Sequence, residues 1–289
     1  MSACLNFRGE RELSDGVPNV RIAETNTAVI LAAGLGSRLD LQAGVAKPLV
    51  EVDGITLAER VILALRAGGG VGRFIVTVGH KADVVGAHFE MIGRHHDVEI
   101  KTVAAANWHL GNGASMLAAK GHTGRGAFYL SMSDHLFDPA IAKALAEKAP
   151  GRGEMCLAVD RDKAGIFDLD DVTRVRSKDG KIEAIEKDLA TWDVADTGVM
   201  LCTKGLFEGL ERAAVEGKHG LSDGLRQLAS KGKAKIVDVT GHYWIDVDTP
   251  DAHREAEIQE RHKKMTGAYR TADDSTSPAP ILHAGVSVR

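Results

Sequence analysis

Two cations and three carboxylates carry the chemistry that this sequence offers first. Arg38, in the run VILAAGLGSRL, and Lys47, in AKPLVEV, lie nine positions apart. Arg38 presents a permanently charged fork that can grip phosphate oxygens at two points, and Lys47 a compact point charge. Gly34 and Gly36 precede them, and glycine permits positive φ and lets backbone amides approach an anion without a Cβ in the way. The guest that suits this set is a triphosphate, with Arg38 and Lys47 as catalytic groups that neutralise charge building up on a transferred phosphoryl group. Asp134 in MSDHL and Asp246 in YWIDVDTP each close an apolar run. Two such strand ends could hold one Mg²⁺, which prefers oxygen ligands. Asp248 shares a face with Asp246 if the segment stays extended, and is the alternative ligand.

Other chemistries fit less well. A dinucleotide site of the Rossmann type needs G-x-G-x-x-G, and here Ser37 and Arg38 follow the second glycine with no third glycine in place; a Walker A loop needs G-K-[ST], which is absent. A glycine turn after a strand is also common punctuation, so the neighbouring cations carry the argument. The twelve histidines include no HExxH or similarly spaced metal pair. His135 follows Asp134 directly, and strand alternation predicts that it points away from that carboxylate's face. No Ser-His-Asp or Cys-His arrangement is indicated. Lys187, in EKDL, could face an attacking phosphomonoester.

These groups need a scaffold. Val29 to Leu31 read as a strand buried on both faces of a parallel sheet. Thr56 to Arg66 has helical periodicity, with Thr56 as N-cap and a stop at Gly68 to Gly70. Strands are expected at 73–79, 98–105 and 127–134, with helices at 82–92, from about 114, and from Pro139 to about 148. Such a βαβα series predicts a mostly parallel sheet with ligands at the carboxyl ends of its strands. MCLAVD and TRVRSKDGKIEAIEK, with a reversal at Lys178 to Lys181, predict a hairpin that rims the site as a lid. Asp196 to Cys202 returns to strand. Helices follow at about 204–215 and 222–230, then the strands KIVDVT and YWIDVD, and a last helix capped by Thr249-Pro250.

Composition bounds the partners. The 289 residues can bury a large core, and a net charge of −4 opposes a general nucleic-acid binder. Three cysteines without metal spacing fit a reducing, cytoplasmic setting. The first residues are too charged for a signal peptide, and no stretch approaches the length of a membrane span. The expected division is an arm over residues 1–25, a catalytic domain over 26–264 and a tail over 265–289.

LAAGLGSRL followed by KPLVEV resembles the signature of nucleotidyltransferases that join a nucleoside triphosphate to a phosphorylated sugar or polyol, with Ala46 where the usual form has proline. SDH, IFDLDDVTRV, EKDL, DTG and WIDVDTP occur in an order similar to that of the CTP:inositol-1-phosphate cytidylyltransferases, with Glu186 where those enzymes often have glycine. The resemblance implies an α/β, Rossmann-like nucleotidyltransferase fold: a mixed, mostly parallel sheet, helices on both faces and a small β-hairpin lid. It implies CTP and a phosphorylated small-molecule acceptor as partners, Mg²⁺ on Asp134 and Asp246, and Lys187 on the acceptor phosphate. The nucleotide would be bound by Leu31, Ala32, Ala33, Gly34, Gly36, Ser37, Gly79, Asn112, Gly113 and Ser115. The acceptor would be bound by Glu186, Lys187, Asp196, Thr197 and Gly198. Inositol 1-phosphate is the implied acceptor, with phosphocholine, a phosphonate or a sugar 1-phosphate as alternatives. A membrane enzyme would use the CDP-linked product, and self-association is left open. A catalytically silent nucleotide sensor is the non-enzyme alternative, which the full set of charged groups opposes.

Overall fold

The computed structural model describes residues 25–39 and 45–266. The expected arm and tail fall outside the described residues except at Thr25, Met265 and Thr266, as does the stretch 40–44 between Arg38 and Lys47.

In chain order the strands are β1 (Thr27–Ala32), β2 (Glu51–Val52), β3 (Ile55–Thr56), β4 (Arg73–Val78), β5 (Glu99–Ala104), β6 (Phe128–Met132), β7 (His135–Phe137), β8 (Met155–Asp160), β9 (Arg174–Lys178), β10 (Lys181–Glu186), β11 (Val194–Cys202), β12 (Ala234–Asp238) and β13 (Trp244–Asp246). The helices are α1 (Leu57–Gly69), α2 (Ala82–His96), α3 (Asn112–Ala118), α4 (Pro139–Glu147), α5 (Gly205–Val215), α6 (Leu221–Ala229) and α7 (Pro250–Thr266).

Nine strands form one sheet in the order β5-β4-β1-β6-β11-β8-β12-β10-β9. β1 is central, as its apolar run requires, and pairs in parallel with β4 and β6. The sheet is mixed, as expected, with its parallel pairings concentrated in the first half and one more between β8 and β12. From β6 onward most pairings are antiparallel, and β9 and β10 form a hairpin there. The reversal at Lys178 to Lys181 is present, and Asp179 and Gly180 take φ of 51° and 73°, the two positive values that a type I′ turn needs. Its strands are stitched into the sheet: β10 pairs with β12, and β9 pairs with β11 as well as with β10. The second half of the sheet thus closes into a small ring.

Alternation along β1 divides the core. Ala28, Ile30 and Ala32 pack on one face with Leu65, Phe74 and Phe89, while Val29 and Leu31 pack on the other with Phe128, Leu130 and Phe207. Thr56 caps α1, its Oγ1 accepting from the Glu59 amide at 3.3 Å. The helix ends at Gly69, within the glycine cluster expected to stop it. A Cβ on Gly68 would lie 1.8 Å from the Pro139 carbonyl oxygen, and one on Gly69 2.7 Å from the Tyr129 ring. These glycines allow α1 to approach α4 and β6, and Gly70, at φ 64°, ends the helix.

A third apolar cluster joins Leu39 and Val50 to Leu136, Ile245, Val247 and the α7 residues Ala252 and Ala256. Thr249 caps α7 through a 3.2 Å bond from the Ala252 amide. Further along α7, buried Glu260 pairs with Arg60 of α1, whose Nε also donates to the Val52 carbonyl at 3.1 Å. This pair anchors the helix that follows Asp246 and Asp248. Removing one member of a buried ion pair leaves the other charge uncompensated. Glu260→Ala is therefore expected to lower the free energy of unfolding by about 3 kcal/mol, measured by urea denaturation; a loss below about 0.5 kcal/mol would show that the pair does not anchor α7.

Candidate active site

The chain leaves β1 through Ala33, runs over Gly34 and Gly36, and makes a short turn at Ser37–Leu39. Gly36 sits at φ 66°, and a Cβ there would lie 2.7 Å from the Lys47 Cβ. Glycine thus lets Lys47 pass beneath the loop. Lys47 is buried, at 6% exposure, and its ammonium contacts the carboxylates of Asp134 and Asp248, with Asp246 Oδ1 at 3.8 Å. Burial favours loss of the Lys47 proton, but the three carboxylates outweigh it and hold the group charged above the ordinary lysine range. Burial likewise opposes the charge on Asp134, yet Lys47 and His135 keep it below the usual carboxylate range.

His135 is placed differently from the expectation. The strand does not run through Asp134: β6 ends at Met132, the chain turns at Ser133 and Asp134, and His135 opens β7. Alternation counted from β6 therefore does not apply. The ring comes back onto the carboxylates, with Nδ1 at 3.1 Å from Asp134 Oδ1 and Nε2 at 3.8 Å from Asp246 Oδ2. Burial would lower the His135 pKa, but Asp246 and Asp134 raise it to about 9. β7 pairs with β13 so that His135 stands opposite Asp246. Trp244 fixes that short strand to β8, its Nε1 donating to Asp160 Oδ2 at 2.9 Å. Gly198 makes room for the imidazole: it takes φ 77°, and a Cβ would fall 2.2 Å from His135 Cδ2.

The donor set fits a hard divalent cation. Ligand atoms of Asp134, His135 and Asp246 lie within 4.8 Å of one another, as do those of Asp171, Asp246 and Asp248. Asp246 Oδ1 is buried and accepts no hydrogen bond from the described residues. Its pKa is pushed to about 7, chiefly by burial, with Asp134 and Asp248 adding to it against the pull of His135 and Lys47. Carboxylate oxygens of this kind suit Mg²⁺. Asp248, the alternative ligand from sequence, belongs to the same cluster and also pairs with Arg38.

A cavity of about 300 Å³ opens beside this cluster, lined by Arg38, Asp134, Asp246, Asp248, Lys187 and Asp196. Asp171 of the β8–β9 connection ties two of these groups together, accepting from Arg38 Nη1 at 2.7 Å and from Lys187 Nζ at 2.5 Å. Asp171 and His135 are the participants that sequence reasoning missed. IFDLDDVTRV contains three candidate aspartates, and spacing alone does not say which one faces inward. Burial pushes the Asp196 carboxyl up to about 6, against the pull of the Gly198 amide, which donates to it at 2.7 Å.

Several expected contacts are used elsewhere. The buried Thr197 hydroxyl donates to the Ala158 carbonyl at 2.9 Å, so it faces the sheet and not the cavity. Glu186 is exposed and lies 3.5 Å from Arg226 of α6. Asn112 reaches the cavity, with its Oδ1 taken by the Leu221 amide at 2.7 Å. A Cβ on Gly113 would lie 2.6 Å from the His219 carbonyl oxygen, so that glycine serves packing of α3 against the α5–α6 connection. Ser115 is buried and its Oγ turns back to the Gly111 carbonyl at 3.4 Å. Gly79 lies under the Trp108 indole, which a Cβ would meet at 2.4 Å. Leu31, Ala32 and Ala33 are buried as the floor of the loop, whereas Gly34 and Ser37 are exposed above it.

Residues 28–233 match the family described as the MobA-like NTP transferase domain. The chain belongs to this family. Relatives within reach of sequence include the "Bifunctional IPC transferase and DIPP synthase" of Rubrobacter xylanophilus, 35% identical over 231 residues that cover 80% of this chain and 51% of the relative. The protein of the same name from Aquifex aeolicus is 34% identical over 228 residues, covering 78% and 49%. The chain thus spans about half the length of these relatives. The inositol-1-phosphate CTP transferase of T. maritima superposes with a TM-score of 0.73 at 24% identity, over 83% of this chain and 97% of that one, which establishes the shared fold. Like that fold, this family member is an α/β nucleotidyltransferase, and the loop bearing Arg38 together with Asp134 and Lys187 lies inside the matched span.

Two outcomes follow from the charge cluster. Lys47→Ala leaves Asp134, Asp246 and Asp248 facing one another, so it is expected to lower stability by about 3 kcal/mol in EDTA. Millimolar Mg²⁺ or Mn²⁺ should recover much of that loss, as read by thermal unfolding; equal loss with and without metal would argue against a cation site. His135 has a native pKa raised from 6.5 to about 9, so its contribution is complete below pH 6.5 and disappears as pH rises through 9. Metal-free protein should lose on the order of 2 kcal/mol across this window, and His135→Asn should flatten that slope in denaturation measured at each pH.

Proposed function

We propose that the chain is a cytidylyltransferase that joins CTP to inositol 1-phosphate, giving the CDP-linked product and pyrophosphate. The observation that carries this reading is one cavity lined by both Arg38 and Lys187, with the acidic cluster around the buried Lys47 at its edge. Such a layout suits two anionic substrates that must meet. The cytidylyl donor and the inositol acceptor come from the relatives' names and from the motif order EKDL, DTG and WIDVDTP.

In the proposed reaction, an oxygen of the acceptor phosphate attacks the α-phosphorus of CTP. One phosphorus–oxygen bond forms there, and the bond from the α-phosphorus to the bridging oxygen of the β-phosphate breaks. Pyrophosphate leaves with that bond's electron pair. Positioning and charge neutralisation dominate such transfers, so no covalent intermediate on the protein is needed. Arg38 and Lys47 hold the triphosphate, and Lys187 steers the acceptor phosphate toward it. Asp134 and Asp246, with Asp248 beside them, would hold Mg²⁺, which when bound neutralises phosphate charge. The Asp196 carboxyl and the rim of β11 at Gly198, which line the cavity, would meet acceptor hydroxyls. We place the reaction in the cytoplasm, in keeping with Cys156 and Cys202 as buried free thiols; among the described residues no helix is long and apolar enough to cross a membrane.

The test crosses the four nucleoside triphosphates with inositol 1-phosphate, phosphocholine, 2-aminoethylphosphonate and hexose 1-phosphates, and measures pyrophosphate release. CTP with inositol 1-phosphate is expected to be the productive pair. Asp246→Asn should cut its turnover at least a hundredfold, and Lys187→Ala should raise the acceptor KM about tenfold with a smaller change for CTP. Productive turnover with another acceptor would reassign the substrate, and silence across the whole panel would sink the enzymatic reading.

A further inference from the structure

Asp171 has no part in the transfer chemistry above, yet it ties together the groups assigned to the two substrates. Its Oδ2 accepts from Arg38 Nη1 at 2.7 Å and its Oδ1 from Lys187 Nζ at 2.5 Å. The three residues come from separate parts of the fold: the loop after β1, the β8–β9 connection and the end of β10. The second guanidinium nitrogen of Arg38 is held by Asp248. In the free protein, therefore, the cations expected to grip phosphate are already occupied by carboxylates.

The degree of exposure decides what these pairs can do. The Arg38, Asp171 and Lys187 side chains are 50%, 31% and 54% exposed. Ion pairs this open to solvent contribute little to stability and exchange readily. A carboxylate also offers two oxygens to the donors that a phosphate would use, and guanidinium forks bind either in the same two-point manner. Asp171 combines weak hold with phosphate-like geometry, and it stands between the donor side and the acceptor side of the cavity.

We propose that Asp171 is a positioning residue that stands in for substrate phosphate. It keeps Arg38 and Lys187 facing each other in the free enzyme and gives them up as anionic substrates enter. The triphosphate takes Arg38 first; Lys187 is then left with one weak partner and becomes available to the acceptor phosphate. The identities of the two substrates rest on the cytidylyl-transfer reading, whereas the exchange of carboxylate for phosphate does not. The consequence is a trade: Asp171 competes with phosphate for binding and improves alignment for turnover.

The experiment titrates inorganic tripolyphosphate into the metal-free protein by calorimetry, with thermal melts confirming that each variant is folded. Asp171→Asn and Asp171→Ala should bind tripolyphosphate about fivefold tighter than the wild type. Asp170→Asn, a neighbouring exposed carboxylate outside the cavity, is the charge-matched control and should change binding less than twofold. In an Arg38→Ala/Lys187→Ala background, Asp171→Asn should likewise give less than a twofold gain. With the productive substrate pair, Asp171→Asn should lower kcat about tenfold while the nucleotide KM falls, and Asp171→Glu should restore part of kcat. Unchanged or weaker tripolyphosphate binding in folded Asp171 variants would overturn the proposal. So would a gain that persists without Arg38 and Lys187, or a loss of Mn²⁺ binding in Asp171→Asn, which would make Asp171 a metal ligand. Tighter tripolyphosphate binding in a protein that releases no pyrophosphate from any nucleotide would uphold Asp171's role and defeat the cytidylyl-transfer reading alone.

Discussion

One ammonium inside a ring of carboxylates organises this molecule. Lys47 arrives from a short turn beyond the glycine loop after β1, Asp134 from the turn that follows β6, and Asp246 and Asp248 from the β13–α7 segment. None of these carboxylates would tolerate the others' proximity in a buried setting without a cation among them. Their convergence therefore requires Lys47, and Lys47 in turn requires a loop thin enough to pass over it, which Gly36 provides. The Arg60–Glu260 pair and the Leu39, Ile245 and Val247 cluster act on the same junction from behind.

Charge continues outward from that centre in an alternating series. Lys187 meets Asp171, Asp171 meets Arg38, Arg38 meets Asp248, and Asp248 meets Lys47; beyond Asp134 come His135 and Asp246. Attraction at each step compensates the repulsion between like charges two steps apart. The two ends differ in solvent access: Lys47 is buried and firmly protonated, whereas the Arg38–Asp171–Lys187 end is open. Fixed charge thus sits next to the acidic cluster, and exchangeable charge sits where two substrates would enter.

Much of this was legible in the chain. The apolar run at Val29 to Leu31 placed β1 inside the sheet, Thr56 announced the cap of α1, and Arg38, Asp134, Asp246 and Lys187 line one cavity with Lys47 bound to its acidic cluster. What failed did so for nameable reasons. Alternation misplaced His135 because one turn at Ser133 and Asp134 resets the count. Thr197 and Ser115 read as ligand groups, but each sits where a backbone carbonyl is near enough to take its hydroxyl. At Gly79 and Gly113 the structure shows a packing use of the missing Cβ, against Trp108 and the His219 carbonyl. A glycine in sequence declares room without saying who uses it. Asp171 was hidden among three aspartates, and only the path of the β8–β9 connection singles it out.

The double pairing of β9 has a consequence for how such a protein can diverge. Because β9 bonds to both β10 and β11, a residue inserted within those strands must be taken up as a bulge, as between Ile182 and Ala184 of β10, or shift the register of a closed ring. The connection over residues 161–173 carries no such constraint, though it forms part of the cavity wall through Phe167, Asp168 and Asp171. Insertions and deletions are absorbed in surface connections of this kind. A change in the length of that segment that keeps Asp171 against Arg38 and Lys187 would reshape the cavity wall while leaving Lys47 and its carboxylates in place.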